Sequence, residues 1–294
     1  MTRKLLQSLA CAAFALAAPL AAHAAAFLWE VSSMTGRVYL YGTVHAGKPD
    51  WYPLPNVVEK ALEDSTALVV EADISDLEGM RKALPANYVP PDTLANHVDP
   101  AAYDRFRKLL PRYKLPEAQV VQMKPFMAVS LLVFAEWARQ GFQPELSVDA
   151  YLIQKAHEQK KPVRELEGLE TQMQLMDSLT EEEGKRIFQG TVDALESGLT
   201  GEQIQGMVKA WQEGDPKEML ATARRYNDNV AGAREFEEKF VWDRHEAMVQ
   251  KIEGFLNQAR DRDFVAVGAL HLAGPRGLVE MLRKRGYIVR QLGT

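Results

Sequence analysis

The sequence predicts an α/β protein with a mixed sheet built from the N- and C-terminal parts of the chain and a large helical insertion over the functional site. Apolar, β-branched runs of strand length occur near both ends of the chain. Between them, from about residue 77 to about residue 258, apolar residues recur with helical spacing. No linker rich in glycine, serine or proline interrupts this order, so residues 25–294 are expected to form one domain.

Residues 1–24 have the composition of a secretory signal peptide. Arg3 and Lys4 make the start basic, residues 5–22 are almost wholly apolar, and Ala22-His23-Ala24 is a small-x-small cleavage site. A membrane anchor needs roughly 20 uninterrupted apolar residues, and this run is shorter. We therefore expect a periplasmic or secreted protein with no stable membrane anchor after cleavage. An uncleaved anchor is the alternative.

Composition argues against several classes of function. Cys11 is the single cysteine and lies in the predicted signal peptide, so the mature chain is expected to lack disulfides, thiolate zinc sites and cysteine nucleophiles. The formal charge of −5 becomes −7 when Arg3 and Lys4 are removed, which disfavours binding to nucleic acid and to anionic membranes. The expected partner is a peptide or a small-molecule substrate. The sequence sets no oligomeric state.

The N-terminal elements are predicted to be a hairpin, a helix and a third strand. Apolar residues 27–31 and 38–45 form the strands of the hairpin, and Met34-Thr35-Gly36 forms its turn. The helix spans about residues 54–62 and opens with a proline, whose missing N–H costs nothing in the first turn. The third strand covers residues 66–70.

The helical segment contains one further predicted strand, at residues 161–167. Three of its predicted helices have distinctive apolar patterns. The helix at residues 128–137 is apolar on all sides and is expected to be buried. The helix at residues 147–158 has one apolar face, and a long helix at about residues 234–259 carries an apolar stripe.

The C-terminal elements are a strand that ends near His271, a helix at residues 275–285 and a strand at residues 287–290. Such a β-α-β succession favours a right-handed crossover with parallel pairing of its two strands.

Two strands of the predicted sheet end in the same motif, Gly-x-x-His. The first motif runs from Gly42 to His45, and the second runs from Gly268 to His271. Ligands of α/β sheets gather beyond the carboxyl ends of the strands, so both histidines are expected at one site. Imidazole is the commonest metal ligand and the usual proton carrier near neutral pH. A structural role is the alternative for each histidine.

Two glutamates follow strands in the same way. Glu71 comes directly after the third strand, and Glu167 comes at the end of the short strand in the helical segment. Two histidines with one or two carboxylates form a ligand set for Zn, Mn, Co or Fe that leaves a position open for water. As alternatives, Glu71 caps a helix beginning near Ile74, and Glu167 is a solvated residue before Gly168.

Arg244 falls on the apolar stripe of the predicted long helix, between Val241 and Met248. A charge at such a position must pair with a buried carboxylate or reach a ligand.

The remaining polar residues are assigned no part in the site. Asp149 lies on the polar side of its helix and is expected at the surface. His97, His157 and His245 have no matching partner in the sequence and are expected to be surface or structural residues.

The sequence resembles the TraB/PrgY/GumN family, which is similar to the Tiki proteins, described as metal-dependent proteases with two Gly-x-x-His motifs and a glutamate. The stretches that carry the resemblance occur in order along nearly the whole mature chain: Trp29, Val38 to His45, Leu54-Pro55, Val69 to Asp73 (VVEAD), Val148 to Leu152 (VDAYL), Leu166 to Gln172 (LEGLETQ), the turn of helix around Arg244, and Val267 to Gly274 (VGALHLAG).

The resemblance implicates His45, His271 and Glu71 in the site and suggests Glu167 as a further acidic member. The family usually has Arg-Asn where this chain has Arg244 followed by a histidine.

Our first hypothesis is a periplasmic metal-dependent hydrolase of the peptidase type. His45, Glu71 and His271 would hold a divalent Mn, Co or Zn ion, which lowers the pKa of bound water towards about 7. Glu167 would accept the proton of that water, and Arg244 would stabilise the oxyanion or hold a substrate carboxylate.

Two further hypotheses use the same residues. The first is a non-enzymatic protein that binds a peptide or haem, whose iron needs one axial histidine. The second is an enzyme that works by general acid–base catalysis without a metal.

Overall fold

The computed structural model of the protein describes residues 26–76, 87–258 and 262–293. The predicted signal peptide, residues 1–24, lies outside the described residues. Within those three ranges, none of the helices combines the length and the apolar character needed to cross a bilayer.

The described residues contain a six-stranded mixed sheet with the strand order β4-β3-β5-β2-β1-β6. The strands are β1 (Leu28–Ser32), β2 (Arg37–Thr43), β3 (Ala67–Val70), β4 (Val163–Glu165), β5 (Arg262–Gly268) and β6 (Ile288–Gln291). Strands β4, β3, β5 and β2 are parallel, whereas β1 is antiparallel to both of its neighbours. The predicted α/β class with a mixed sheet is confirmed.

The parallel pair β2 and β5 forms the centre of the sheet. Every residue of β2 after Arg37 is buried, as are the residues from Asp263 to Val267 in β5. Such near-continuous apolar runs are typical of parallel strands that are covered on both faces. Thr43 pairs with Gly268, so both Gly-x-x-His motifs leave the sheet at the same edge.

The predicted parallel pairing of the last two strands is wrong. Strand β6 pairs with β1, and the pairing is antiparallel. The reason is that both edges of β5 already hold parallel neighbours, β2 on one side and β3 on the other. The edge of β1 that faces away from β2 is the place where the final strand adds to the sheet.

The helices of the described residues follow the strands in chain order. They are α1 (Asn56–Glu63), α2 (Pro100–Leu109), α3 (Glu117–Val120), α4 (Pro125–Arg139), α5 (Val148–Glu158), α6 (Leu169–Asp177), α7 (Glu181–Ser197), α8 (Leu199–Gln212), α9 (Pro216–Asn229), α10 (Ala233–Phe240), α11 (His245–Leu256) and α12 (Leu278–Lys284). Short 3₁₀ helices cover Pro49–Trp51, Leu94–His97, Leu110–Tyr113, Pro144–Leu146, Trp242–Arg244 and Ala269–Leu272.

Two predicted helices differ from the observed ones. The predicted helix at residues 234–259 is broken at Val241, whose backbone angles, φ −120° and ψ −67°, are not helical. The break lets Arg244 Nη1 donate 2.7 Å to the carbonyl oxygen of Phe240, one of the unpaired carbonyls at the end of α10. The helix predicted to be buried on all sides, α4, exposes 46% of Phe134 and buries one face.

The helical segment covers the carboxyl edge of the sheet. The indole nitrogen of Trp211, near the end of α8, donates 2.7 Å to the carbonyl oxygen of Gly42 in β2. Helix α9 packs its Leu220 against Gly274, three residues after His271. Buried residues of α5, α8 and α11 share a core with the sheet, while α2, α4 and α7 enclose a second apolar cluster.

Candidate active site

Four parallel strands deliver one predicted side chain each to the same edge of the sheet. His45 follows β2, Glu71 follows β3, Glu167 follows β4, and His271 lies in the 3₁₀ helix after β5. Arg244, from the junction of α10 and α11, reaches the same place. The structure therefore brings together all five residues that the sequence singled out.

Gly268 lies at the centre of this group. A Cβ atom at Gly268 would lie 3.4 Å from His45 Nε2, 3.4 Å from Glu71 Oε1 and 3.6 Å from His271 Cδ2. The backbone N–H of Gly268 also donates 2.7 Å to Glu71 Oε1. Three candidate ligands thus surround one small space, which stays open because residue 268 has no side chain.

Gly42, the corresponding glycine of the first motif, has a different role. A Cβ atom there would lie 2.5 Å from Phe27 Cδ1 and 3.0 Å from the Cα atom of Ala269. Gly42 therefore permits the close packing of β2 against the segment that carries His271.

Arg244 ties the two glutamates together. Its Nε donates to both carboxylate oxygens of Glu167, at 3.0 and 3.1 Å, and its Nη2 donates to Glu71 Oε2 and to Glu167 Oε2. Its Nη1 lies 3.3 Å from His271 Nε2. The planar guanidinium suits such a fork of bonds to carboxylates. Burial opposes the charge of Arg244, but the two carboxylates outweigh it and raise the pKa of the guanidinium.

The contacts of the two glutamates argue against the alternatives of a helix cap and a solvated residue. The carboxylate of Glu71 accepts from Arg244 Nη2 and from the Gly268 N–H, and residues 71–76 are not helical. The side chain of Glu167 is only 8% exposed and is held by Arg244. Burial alone would raise the pKa of Glu71, but His271, Arg244 and the Gly268 N–H outweigh burial and lower that pKa to about 2. Glu71 is therefore a carboxylate at every physiological pH.

His271 is oriented by a second histidine. Its Nδ1 lies 2.8 Å from His245 Nε2, and His245 Nδ1 lies 2.7 Å from the backbone carbonyl oxygen of Arg276. Burial lowers the pKa of His271 to about 3 and that of His245 to about 4, so both rings are neutral at pH 7. Because the carbonyl of Arg276 can only accept, His245 donates from Nδ1 and accepts from His271 Nδ1. The lone pair of His271 Nε2 consequently faces Arg244 and Glu71.

His45 is oriented by a carboxylate. Its Nδ1 lies 2.9 Å from Asp149 Oδ2, and the hydroxyl of Thr43 donates 2.8 Å to Asp149 Oδ1. Asp149 raises the pKa of His45 to about 9. The His45 side chain is 63% exposed, whereas that of Asp149 is 13% exposed. With Nδ1 engaged, His45 presents Nε2 to the space beside Gly268.

Asp149 and His245 are the two residues of this arrangement that the sequence analysis missed. The expectation that Asp149 lies at the surface is wrong, because its carboxylate is bonded to two residues at the end of β2. Of the two roles expected for His245, surface or structural, the surface one is wrong, since His245 is 1% exposed. A helix begun at residue 245 would have placed His245 on one buried stripe with Met248, Val249 and Ile252.

The chemistry of the donors fits a divalent cation. Two imidazoles and a carboxylate face the space at Gly268, and each imidazole has its far nitrogen held by a partner, as is usual for histidines that bind metals. Their spacing is wider than a ligand set requires: within residues 26–76, 87–258 and 262–293, no three His, Cys, Asp or Glu residues are grouped closely enough to hold a metal ion. Nη2 of Arg244 donates to Glu71 Oε2, and its Nη1 lies 3.3 Å from His271 Nε2. The guanidinium thus already engages one possible ligand atom of each residue.

Fold and site together define a class: α/β proteins in which two Gly-x-x-His segments, two glutamates and an arginine meet at the carboxyl edge of a parallel sheet core. The chain belongs to the TraB/PrgY/gumN family, whose profile matches residues 27–291. The resemblance stated from the motifs is thereby confirmed.

The chain is similar to two kinds of curated protein. It is 26% identical over 248 residues to the uncharacterized protein YbaP of Escherichia coli (strain K12), a match that covers 83% of this chain and 87% of YbaP. It is 22% identical over 316 residues to a protein of Amphimedon queenslandica named Metalloprotease TIKI homolog, and this match covers 91% of the chain and 62% of that protein. No solved structure matches the chain significantly.

Proposed function

We propose that the protein is a metal-dependent hydrolase of the peptidase type. The observation that carries the proposal is the convergence of His45, Glu71 and His271 on the space beside Gly268. The name of the relative from Amphimedon queenslandica, Metalloprotease TIKI homolog, supports the same class of reaction. The basic start, apolar run and small-x-small site of residues 1–24 support action in the periplasm or outside the cell.

His45, Glu71 and His271 are the residues that would hold the cation, with Mn, Co and Zn as candidates for imidazole and carboxylate ligands. When bound, such a cation supplies Lewis-acid polarisation of the peptide carbonyl and lowers the pKa of water. Asp149 and His245 keep the two imidazoles turned with Nε2 towards the site.

Glu167 and Arg244 form the second part of the proposed machinery. Glu167 accepts the proton of the attacking water, as a general base does. Its carboxylate is held by Arg244 through Nε and Nη2, so a proton on Glu167 would weaken that ion pair. The guanidinium charge would then be available to the oxyanion or to a substrate carboxylate.

The test combines metal analysis with hydrolysis of a peptide library by the purified protein. We expect about one equivalent of Mn, Co or Zn per chain, cleavage that a chelator abolishes, and recovery when the metal is returned. Cleavage that continues unchanged after complete removal of metal would favour general acid–base catalysis. A lack of cleavage with each of the three metals supplied would overturn the proposal.

The exposure of His45 favours a second candidate function, the binding of haem or a peptide without catalysis. An imidazole that is 63% exposed, and whose Nε2 has no hydrogen-bond partner among the described residues, can serve as an axial ligand of haem iron. The absorption spectrum of the protein as purified separates the two candidates, because a Soret band indicates haem and a colourless protein with bound metal indicates the hydrolase.

A further inference from the structure

A groove of about 810 Å³ is lined by residues of helices α9 and α12 and of the segment that follows His271. Leu272 and Gly274 line it, and they follow His271 by one and three residues. Apolar side chains, among them Trp29, Leu220 and Val279, form part of its lining. Its volume lies in the range of roughly 300–1,000 Å³ that is usual for ligand clefts.

The charged residues along this groove are mostly cationic. The cations are Lys217, Arg224, Arg225, Arg283 and Lys284, and the anions are Asp228 and Glu280. Asp228 pairs with Arg234, Glu280 with Arg283, and Arg225 with Glu218, so within the described residues Lys217, Arg224 and Lys284 are the groove cations that no carboxylate neutralises. The groove is therefore a positive patch on a chain whose formal net charge is −5.

Several of the cations are free to meet a ligand. Lys217 and Arg224 are exposed and form no ion pair within the described residues. Lys284 donates only to the backbone carbonyl of Pro275, so its charge is not neutralised by that bond. A cleft with an apolar lining and unneutralised cations is complementary to a ligand that carries both apolar groups and carboxylates.

We propose that this groove binds an acidic segment of a peptide, with carboxylates against Lys217 and Arg224 and apolar side chains against Leu220 and Pro275. Because Leu272 and Gly274 belong to the segment that carries His271, the proposal extends to one peptide that reaches both the groove and the candidate active site. The groove would thus select substrates that have acidic residues away from the cleaved bond. This role in substrate selection rests on the proposed peptidase function, whereas the binding itself does not.

The experiment measures binding by fluorescence anisotropy. The probe is a labelled octapeptide in which leucine alternates with glutamate, and its counterpart has glutamine in place of glutamate. We expect the purified protein to bind the glutamate peptide at least about fivefold more tightly than the glutamine peptide, and the preference to shrink at high salt. Equal affinity for the two peptides would overturn the proposal.

The double variant Lys217→Glu/Arg224→Glu should weaken binding of the glutamate peptide by at least about fivefold. The matched control is Lys60→Glu/Lys108→Glu, which makes the same change in net charge at two exposed lysines outside the groove. The control should bind within about twofold of wild type, because rim charges act over about a Debye length of 10 Å. Unchanged binding by the groove variant, or equal losses in both variants, would contradict the proposal.

The variant His45→Ala should lose peptide cleavage and bind the glutamate peptide as tightly as wild type, which separates this inference from the proposed function. It alters the candidate active site and leaves the residues of the groove intact. If wild-type protein binds the glutamate peptide but cleaves no peptide, the proposed peptidase function is wrong and the proposed binding groove stands. If wild-type protein cleaves peptides equally well with and without acidic residues, the groove has no role in substrate selection and the proposed peptidase function stands.

Discussion

His271 Nδ1 and His245 Nε2 lie 2.8 Å apart in the interior of the protein. The second ring bonds through Nδ1 to the carbonyl oxygen of Arg276, so this pair of histidines has a defined direction of donation. The arrangement fixes which nitrogen of His271 carries the proton, and it leaves the other nitrogen for a ligand.

The variant His245→Asn should retain stability and function, whereas His245→Leu should lose both. An asparagine side-chain oxygen can accept the Nδ1–H of His271, but leucine leaves that buried donor unpaired at a cost of about 1–3 kcal/mol. Thermal unfolding and peptide hydrolysis measure the two effects. Equal behaviour of the two variants would show that position 245 acts through packing alone.

Gly268→Ala should abolish binding at the site and leave the fold intact. The new methyl group would sit between His45, Glu71 and His271 at ordinary contact distances of 3.4–3.6 Å, and the φ of −49° at Gly268 suits alanine. We expect peptide hydrolysis to fall by at least about tenfold. Gly254→Ala is the control, since it has open space in helix α11 and should change only stability, upwards by up to about 1 kcal/mol.

Asp149→Asn should release the imidazole of His45. The pKa of His45, raised to about 9 by Asp149, should fall towards its ordinary value of 6.5. Loss of such an orienting partner typically lowers metal affinity or activity by about 10–100-fold. A histidine NMR titration and a metal-binding isotherm measure the two consequences. A His45 pKa that stays near 9 would mean that another group raises it.

The two glutamates should respond differently to removal of their charge. Glu71→Gln should lower both metal content and hydrolysis, because Glu71 is the proposed ligand. Glu167→Gln should spare the metal and slow hydrolysis by about 10²–10⁴-fold, as expected for loss of a general base. Metal stoichiometry and hydrolysis are measured in parallel on both variants. Loss of metal from Glu167→Gln with retention in Glu71→Gln would reverse the assignment.

Acidification should destabilise the protein between about pH 6.5 and pH 3. Burial lowers the pKa of His271 from 6.5 to about 3, so within this window the unfolded chain binds more protons than the folded protein. The free energy of unfolding therefore falls as pH falls. Glu71 acts in the same direction at lower pH, because its stabilising charge is lost as pH falls from 4.5 towards about 2.

Urea unfolding at several pH values measures this slope in wild type and in His271→Asn. The asparagine variant should have a shallower slope because the titrating ring is gone, while His157→Gln, a change at an exposed histidine, should match wild type. A wild-type protein that gains stability on acidification would contradict the neutral state assigned to His271.

Local sequence patterns were sufficient to predict the centre of the sheet and its edge. The apolar runs that end at His45 and His271 are strands because they are buried on both faces, and Glu71 and Glu167 follow strands directly. The position of β6 could not be predicted in this way, because it depends on which strand edges the other strands have already taken.

The orienting residues could not be predicted either, for a related reason. Asp149 meets His45 across 104 positions of sequence, and His245 meets His271 across 26. No local pattern encodes such a contact. The break at Val241 could not be predicted from the apolar periodicity, which continues across it. It depends on a side-chain contact, because the carbonyl of Phe240 accepts from the side chain of Arg244 and not from a helical N–H.

Strand β5 fills the middle of the sheet, yet it begins only at Arg262 of a chain of 294 residues. Until it emerges, β2 and β3 have no common neighbour, and β4 can pair with β3 alone. Closing the contacts of β5 with β2 spans more than 200 positions of sequence, an entropic demand that slows folding. A nascent chain of this topology therefore remains open until β5 has been synthesised.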